Sequence, residues 1–283
     1  MTHIARERLS SVLPELLRIS REAGQVILQV YDSDFAVEQK FDSSPLTLAD
    51  RRSHEVIAQG LSLMSDLPIP LLSEEGRSIP YDERKTWDMF WLVDPLDGTK
   101  EFVKRNGEFT VNIALIQNSS PLIGVIYIPV KNIFYFAVKG LGAYRLELRN
   151  TEVPASTKGL LKISSRLPLA PDSADTASNI SRVTVIGSRS HMSSETEQFI
   201  NDLKAKYKEV DFLAAGSSLK FCLIAEGRAD VYPRFGPTME WDTAAGQAIV
   251  EQAGGRVLRA GSQEPLTYNK EDLLNPSFIV HRS

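Results

Sequence analysis

Four apolar runs in close succession constrain the fold of this chain more than any other feature. Val111-Asn112-Ile113-Ala114-Leu115-Ile116 is followed by Leu122 to Ile128, Ile133 to Val138 and Ala143 to Leu148, each punctuated by Asn, Ser, Pro or Gly. Runs of this length broken by turn formers predict an antiparallel meander. Ahead of it, Leu13, Leu16, Leu17, Ile19, Ala23, Val26, Ile27 and Val30 recur at helical spacing up to about Tyr31, with Pro14 tolerated in the first turn. Pro45 precedes a second predicted helix from about Thr47 to Leu63, with Asp50 in its first turn. Leu71-Leu72 then reads as a short strand running into the turn Ser73-Glu74-Glu75-Gly76. Between Arg149 and Ser181 the Pro, Ser, Ala and Thr content rises, interrupted only by Leu160 to Ile163, and this stretch reads as the crossing between two lobes. Beyond it the chain alternates strand and helix. Strands are expected at Val183 to Ile186, Asp230 to Tyr232 and Arg256 to Leu258, and helices at Ser194 to Tyr207, Ser217 to Glu226 and Asp242 to Gln252. The expectation is an N-terminal α+β lobe over residues 1–150, an antiparallel sheet with flanking helices, and a smaller C-terminal α/β lobe over residues 151–283.

Charge and cysteine usage narrow the function classes. A net charge of -4 over 283 residues gives no long-range attraction for a nucleic-acid polymer or an anionic lipid surface. An anionic ligand must then be held locally, by lysines, arginines and metal ions. The single cysteine, Cys222, excludes an internal disulfide and lies among apolar residues, where an inert buried thiol is expected. Met1 to Arg8 carries charges with no apolar stretch behind it, so neither a signal peptide nor a membrane span is expected there. The expected location is cytoplasmic. A loose association with the cytoplasmic face of the inner membrane and a homodimeric state are both left open.

The densest chemistry lies in Trp91-Leu92-Val93-Asp94-Pro95-Leu96-Asp97-Gly98-Thr99, two carboxylates and a hydroxyl on one tight turn directly after an apolar strand. Pro95 fixes one φ angle and removes a donor, and Gly98 permits the close backbone approach that a phosphate oxygen needs. The amides of Gly98 and Thr99 would then point at an anion. The same residues also suit an ordinary strand-end turn.

Further acidic positions sit at other element ends. Glu74 and Glu75 close a strand, Asp50 opens a helix, and Glu240-Trp241-Asp242-Thr243-Ala244-Ala245-Gly246 opens another that closes at Gly254-Gly255. Each has a plainer reading: Asp242 as an N-cap, Glu74 and Glu75 as a solvated turn, Thr47 with Asp50 as a variant capping box. Gathered together, five carboxylates would repel one another unless cations neutralised them. Oxygen donors without Cys or His point to Mg²⁺ rather than zinc.

Glu74-Glu75, Asp94-Pro95-Leu96-Asp97-Gly98-Thr99 and Trp241-Asp242-Thr243-Ala244-Ala245-Gly246 together resemble the inositol monophosphatase and fructose bisphosphatase superfamily of Mg²⁺-dependent, lithium-sensitive phosphomonoesterases. Within it the chain is similar to the bacterial 3'(2'),5'-bisphosphate nucleotidases. That likeness rests on Ser44 to Asp50, Leu96 to Phe102, Ser188-Arg189-Ser190-His191, Gly216 to Cys222 and Tyr232 to Thr238, and runs down to Leu274-Asn275-Pro276.

The resemblance implies an α/β fold of the α+β layered-sandwich kind and a set of roles. Glu74, Asp94 and the Leu96 carbonyl would hold one Mg²⁺, Asp94, Asp97 and Asp242 a second, and Glu74 with waters a third, weaker one. Asp50 and Thr99, with Glu74 beside them, would orient and deprotonate the attacking water. Leu96, Asp97, Gly98, Thr99 and Asp242 would face the phosphate being cleaved. A second phosphate needs cations away from the metals, for which Lys220 and Arg234 are the candidates, with His191 and Ser217 as hydrogen-bonding groups. The plain alternatives are a loop histidine at His191 and a solvated helix position at Lys220. The implied reaction removes the 3'-phosphate of adenosine 3',5'-bisphosphate, with action on the corresponding phospho-sulfate as an extension, in the clearance of a by-product of sulfate activation. The rivals are the same chemistry on inositol or sugar phosphates, and a non-catalytic nucleotide-binding regulator.

Overall fold

The computed structural model describes residues 6–32, 37–39, 45–64, 69–149, 151–169, 181–188 and 193–282. The chain opens with α1 (Arg6–Ser11) and α2 (Leu13–Tyr31), a short hairpin of β1 (Val37–Gln39) and β2 (Pro45–Thr47), then α3 (Leu48–Leu63). Next come β3 (Leu71–Ser73), α4 (Tyr81–Arg84), β4 (Met89–Asp97) and α5 (Thr99–Val103). The meander follows as β5 (Thr110–Gln117), β6 (Ser120–Ile128), β7 (Ile133–Val138) and β8 (Gly142–Glu147). The predicted crossing contains α6 (Thr157–Ile163) and β9 (Ser165–Arg166), and β9 pairs with β8. The remainder is β10 (Arg182–Gly187), α7 (Ser194–Lys204), β11 (Glu209–Ala214), α8 (Leu219–Ala225), β12 (Val231–Arg234), α9 (Glu240–Gln252), β13 (Arg256–Arg259) and β14 (Phe278–His281).

Among the described residues, β3 to β9 form one seven-stranded sheet in sequence order, antiparallel except for the parallel β3–β4 pair. The order β11-β10-β12-β14-β13 makes a second, five-stranded sheet of mixed direction. Both faces of the large sheet are buried, which is why its strands read as continuous apolar runs rather than alternating ones. The period of two still sorts them. Trp91, Val93, Val111, Ile113 and Val125 pack with Leu16, Ile27 and Ile57 of α2 and α3. Phe90, Leu92, Ala114, Ile126 and Ala137 pack on the opposite face with Phe221 of α8 and Ala245 and Ile249 of α9. The layers are helices, sheet, helices, second sheet and, on that sheet's far face, α7 packed through Phe199, Ile200 and Leu203 on Val183, Val185 and Val231, in keeping with the layered-sandwich expectation.

Helix α9 lies almost on the sheet because small residues allow it. A Cβ on Gly124 of β6 would come within 2.5 Å of the Ala245 carbonyl, and one on Gly246 within 2.4 Å of the Phe221 ring. This close seating brings the first turn of α9 to the end of β4. No helix of the described residues is long and apolar enough to cross a membrane.

Several expectations differ in detail. The helix expected from Asp242 begins at Glu240, that expected from Ser217 begins at Leu219, and that expected to reach Tyr207 ends at Lys204. Strands β11 and β14 were not read from the sequence. Strand β11 is an edge strand carrying Glu209 and Asp211 among its apolar residues, and β14, no shorter than β12 and β13, is the strand that pairs with both of them.

Candidate metal and phosphate site

Strand register assembles the site. Leu72 lies beside Leu92 and Ser73 beside Val93 in the parallel β3–β4 pair, so one step further along sets Glu74 beside Asp94. The Glu74 N–H donates to the Val93 carbonyl over 3.2 Å and holds that alignment. Counting in twos from Leu72 and Leu92 places both carboxylates on the α9 side of the sheet. Helix α9 supplies the third. One carboxylate oxygen from each of Glu74, Asp94 and Asp242 lies within 4.8 Å of the others.

Asp97 joins them through an irregularity in β4. Asp94 pairs with Asn112 and Asp97 with Thr110, so one extra residue is accommodated at Pro95-Leu96. The turn is tied down twice: the Leu96 N–H donates to Asp94 Oδ1 over 3.0 Å, and Ser53 Oγ of α3 donates to the Pro95 carbonyl over 2.7 Å. Gly98 then adopts φ 91°, ψ 42°, a left-handed conformation that a side chain would strain, and a Cβ there would meet Ser217 at 3.1 Å. Thr99 is the first residue of α5.

Burial and charge make this cluster unstable on its own. Asp94 is 1 % exposed and Asp50, in the first turn of α3, is 2 % exposed. Burial first, then the charges of Glu74, Asp97, Asp242 and Asp50, push the Asp94 carboxyl well above the ordinary carboxylate range. Asp242 is pushed up in the same way by burial, Asp97 and Glu74. It also reaches back to the helix start, since Asp242 Oδ2 accepts from the Met239 N–H over 2.8 Å. The N-cap of α9 is Met239, not Asp242 as the plainer reading has it; Asp242 is the third helical residue, and its reach back to the cap does not displace it from the cluster. Oxygen donors alone, buried together and raised by mutual repulsion, are what a hard divalent cation relieves.

Two cavities open on this cluster. The larger, about 640 Å³, is lined by Glu74, Asp94, Leu96, Asp97, Gly98, Thr99, Arg234 and Asp242, among others. A smaller one of about 160 Å³ shares Asp97, Gly98, Glu101, Arg234 and Asp242 with it, and adds Ser188, Ser217, Lys220 and Tyr232. Lys220 is 6 % exposed, so the solvated-helix alternative does not hold. Its Nζ donates to the Ser217 carbonyl over 2.5 Å and sits 5.5 Å from the centre of the Tyr232 ring. Burial lowers its pKa to about 8. Arg234 reaches the Pro237 carbonyl from the end of β12, and its Nε is buried with no hydrogen-bond partner. His191 lies outside the described residues, as does the side chain of Thr47.

Three residues of this neighbourhood escaped the sequence reading: Ser53, Asn112 and Ser218. Asn112 Nδ2 donates to Ser218 Oγ over 3.0 Å and to Asp97 Oδ2 over 3.4 Å. The one local signal was a lone amide inside an otherwise apolar strand.

Comparison with known proteins fits this geometry. The model of the inositol monophosphatase family matches residues 8–282. The chain is 43 % identical over 273 residues to the 3'(2'),5'-bisphosphate nucleotidase CysQ of Shigella flexneri, covering 95 % of this chain and 99 % of the relative. It is likewise 43 % identical to CysQ of Escherichia coli K12, over 272 residues and with the same coverage. The crystal structure of CysQ from Bacteroides thetaiotaomicron, a bacterial member of the inositol monophosphatase family, superposes with a TM-score of 0.81 at 49 % identity, covering 95 % of this chain and 98 % of that one. The extragenic suppressor protein suhB of Bartonella henselae shares the fold at a TM-score of 0.72 and 22 % identity. The chain belongs to the inositol monophosphatase family.

Proposed function

We propose that the chain is a Mg²⁺-dependent 3'(2'),5'-bisphosphate nucleotidase that removes the 3'-phosphate of adenosine 3',5'-bisphosphate, leaving AMP and phosphate. The observation that carries this is the pair of adjoining cavities, one walled by carboxylates and the other adding the buried Lys220, with Arg234 lining both. One phosphate belongs at the carboxylates with its cations. The other belongs at Lys220 and Arg234. The CysQ relatives carry that activity in their names, and a role in sulfur assimilation, with the phospho-sulfate nucleotide as a second substrate, fits the same site.

Enzymes of this family use divalent metal ions, and the oxygen-only donor set suits Mg²⁺. Glu74, Asp94 and the Leu96 carbonyl would hold one cation and Asp94, Asp97 and Asp242 a second, with Glu74 as the anchor for a third, weaker one. When bound, such cations neutralise charge on the phosphate oxygens and make a water in the site more acidic. The chain's own groups do the rest. Thr99 Oγ1 and the Asp50 carboxylate orient the attacking water and take its proton, while the Gly98 and Thr99 amides grip the phosphate. Lys220 and Arg234, with Ser217, fix the phosphate that is not cleaved, and His191, which lies outside the described residues, is a further hydrogen-bonding candidate from the sequence alone. The N-terminal lobe, residues 1–150, then carries most of the chemistry, and the C-terminal lobe, residues 151–283, supplies Asp242 and the substrate contacts.

The test is phosphate release with Mg²⁺ from adenosine 3',5'-bisphosphate, inositol 1-phosphate and fructose 1,6-bisphosphate at equal concentration. The nucleotide should exceed inositol 1-phosphate in kcat/KM by about a hundredfold or more, because polar groups built for a second phosphate are left unpaired without it; fructose 1,6-bisphosphate, which has two phosphates, tests the sugar and base instead. Preference for an inositol or sugar phosphate overturns the nucleotidase reading. Absence of turnover on all three, with nucleotide still bound, would identify a regulator.

A further inference from the structure

Asn112 is 1 % exposed, the third residue of β5, with Val111 and Ile113 on either side. A buried amide costs stability unless its hydrogen-bonding capacity is used. Here it is used in one direction. Thr110 Oγ1 donates to Asn112 Oδ1 over 3.0 Å, Asn112 Nδ2 donates to Ser218 Oγ over 3.0 Å, and Ser218 Oγ donates on to the Asp242 main-chain carbonyl over 2.9 Å. The carbonyl at the end can only accept, so Ser218 must spend its proton there and accept from Asn112. The amide orientation follows, and it leaves an N–H directed at Asp97 Oδ2, 3.4 Å away.

The relay links β4, β5, the start of α8 and the first turn of α9. We propose that Asn112 is the positioning residue of the cation site: it holds one oxygen of Asp97 directly and, through Ser218, the main chain of Asp242, so that carboxylates from two separate segments keep a fixed spacing. The proposal rests on the reading of Asp94, Asp97 and Asp242 as cation ligands. An uncharged donor suits the place. A lysine would neutralise Asp97 and compete with the cation, and an aspartate would add to the repulsion already present. Groups that hydrogen-bond to ligating carboxylates orient them, and losing one typically costs about 10 to 100-fold in metal affinity.

The experiment measures Mn²⁺ binding to the whole protein by electron paramagnetic resonance without substrate, in wild type, Asn112→Leu, Asp97→Asn and the double variant. Leucine has a similar size and no donor. Asn112→Leu should weaken Mn²⁺ binding by about 10 to 100-fold while KM for adenosine 3',5'-bisphosphate at saturating Mg²⁺ stays within twofold, roughly, of wild type. In the Asp97→Asn background the same change should cost less, since the carboxylate it orients directly is gone and only the tether through Ser218 to Asp242 remains to be lost. Unchanged Mn²⁺ affinity in Asn112→Leu overturns the proposal, and so does an equal loss in both backgrounds, which would mean general damage to packing. Should Asn112→Leu not fold, Ser218→Ala cuts the tether to Asp242 instead. It should weaken Mn²⁺ by about tenfold, and wild-type affinity there overturns the proposal. A wild type that binds no Mn²⁺ would instead overturn the metal-site reading itself.

Discussion

Asp94 and Asp97 stand three residues apart on β4, yet their partners on β5, Asn112 and Thr110, stand only two apart. In a regular strand an odd spacing would send the two carboxylates to opposite faces of the sheet. The extra residue at Pro95-Leu96 cancels that alternation and lets both line one cavity. Proline fits there because a bulge asks for no ladder donor at that point. The turn chemistry visible in the sequence is thus a device for setting two like charges side by side.

Asp94→Asn tests the centre of that device. Asp94 feels Glu74, Asp97, Asp242 and Asp50 at once, so its loss should lower Mg²⁺-supported turnover by more than the roughly 100-fold upper range of outer hydrogen-bonding groups. The metal-free variant should melt at a higher temperature than wild type, because a buried charge has left a repulsive cluster. Phosphate release and thermal melting are read in parallel. Activity within tenfold of wild type removes Asp94 from the site.

Stability should depend on pH and metal together. Asp94 and Asp242 have folded pKa values raised above their unfolded ones by burial and like charge. A group shifted in that direction stabilises the fold fully below its unfolded pKa, near 4, and the contribution is lost as pH rises through the raised folded value. Neutral pH therefore strains the metal-free site, and cations relieve it. Saturating Mg²⁺ should raise the melting temperature more at pH 7 than at pH 5. An equal rise at both would show that the pair is not the group the metal neutralises.

How much of this was legible beforehand follows from how local each signal is. Asp94 to Thr99 announced itself because Asp, Pro and Gly at fixed offsets constrain the backbone directly, and the meander because its runs are long. Lys220 could be placed on a helix but not inside the protein: every residue of α8 is buried, so no polar face distinguishes its environment. Asn112 carries no local sign of a partner 106 residues away. Helix α6 was hidden in a polar stretch, although Ser156, which accepts from the Gly159 N–H, caps it in an ordinary way. Contacts between segments decided what periodicity could not.

Thr99→Val should depress kcat more than KM, since a hydroxyl that orients the attacking water acts chiefly in the transition state. Asp50→Asn should do the same, and the two should not add fully if they serve one water. Asp50 also sits in the first turn of α3, where a carboxylate favours the helix. Steady-state rates and melting curves separate the roles. A lower melting temperature with kcat unchanged would make Asp50 a helix residue only.

Lys220 supplies the sharpest test of substrate choice. Its pKa of about 8 means that the free protein loses this charge as pH rises through 8, where an exposed lysine would keep it. KM for adenosine 3',5'-bisphosphate should therefore climb above pH 8, while a substrate with one phosphate shows no such rise. The limb should be weaker in kcat than in kcat/KM, because a bound phosphate holds the proton on Lys220 in the complex. Lys220→Ala and Arg234→Ala should each raise KM for the bisphosphate and barely touch turnover of inositol 1-phosphate. Equal damage on both substrates would assign the pair to the fold, and a flat KM through pH 8 to 9 would take Lys220 away from the second phosphate.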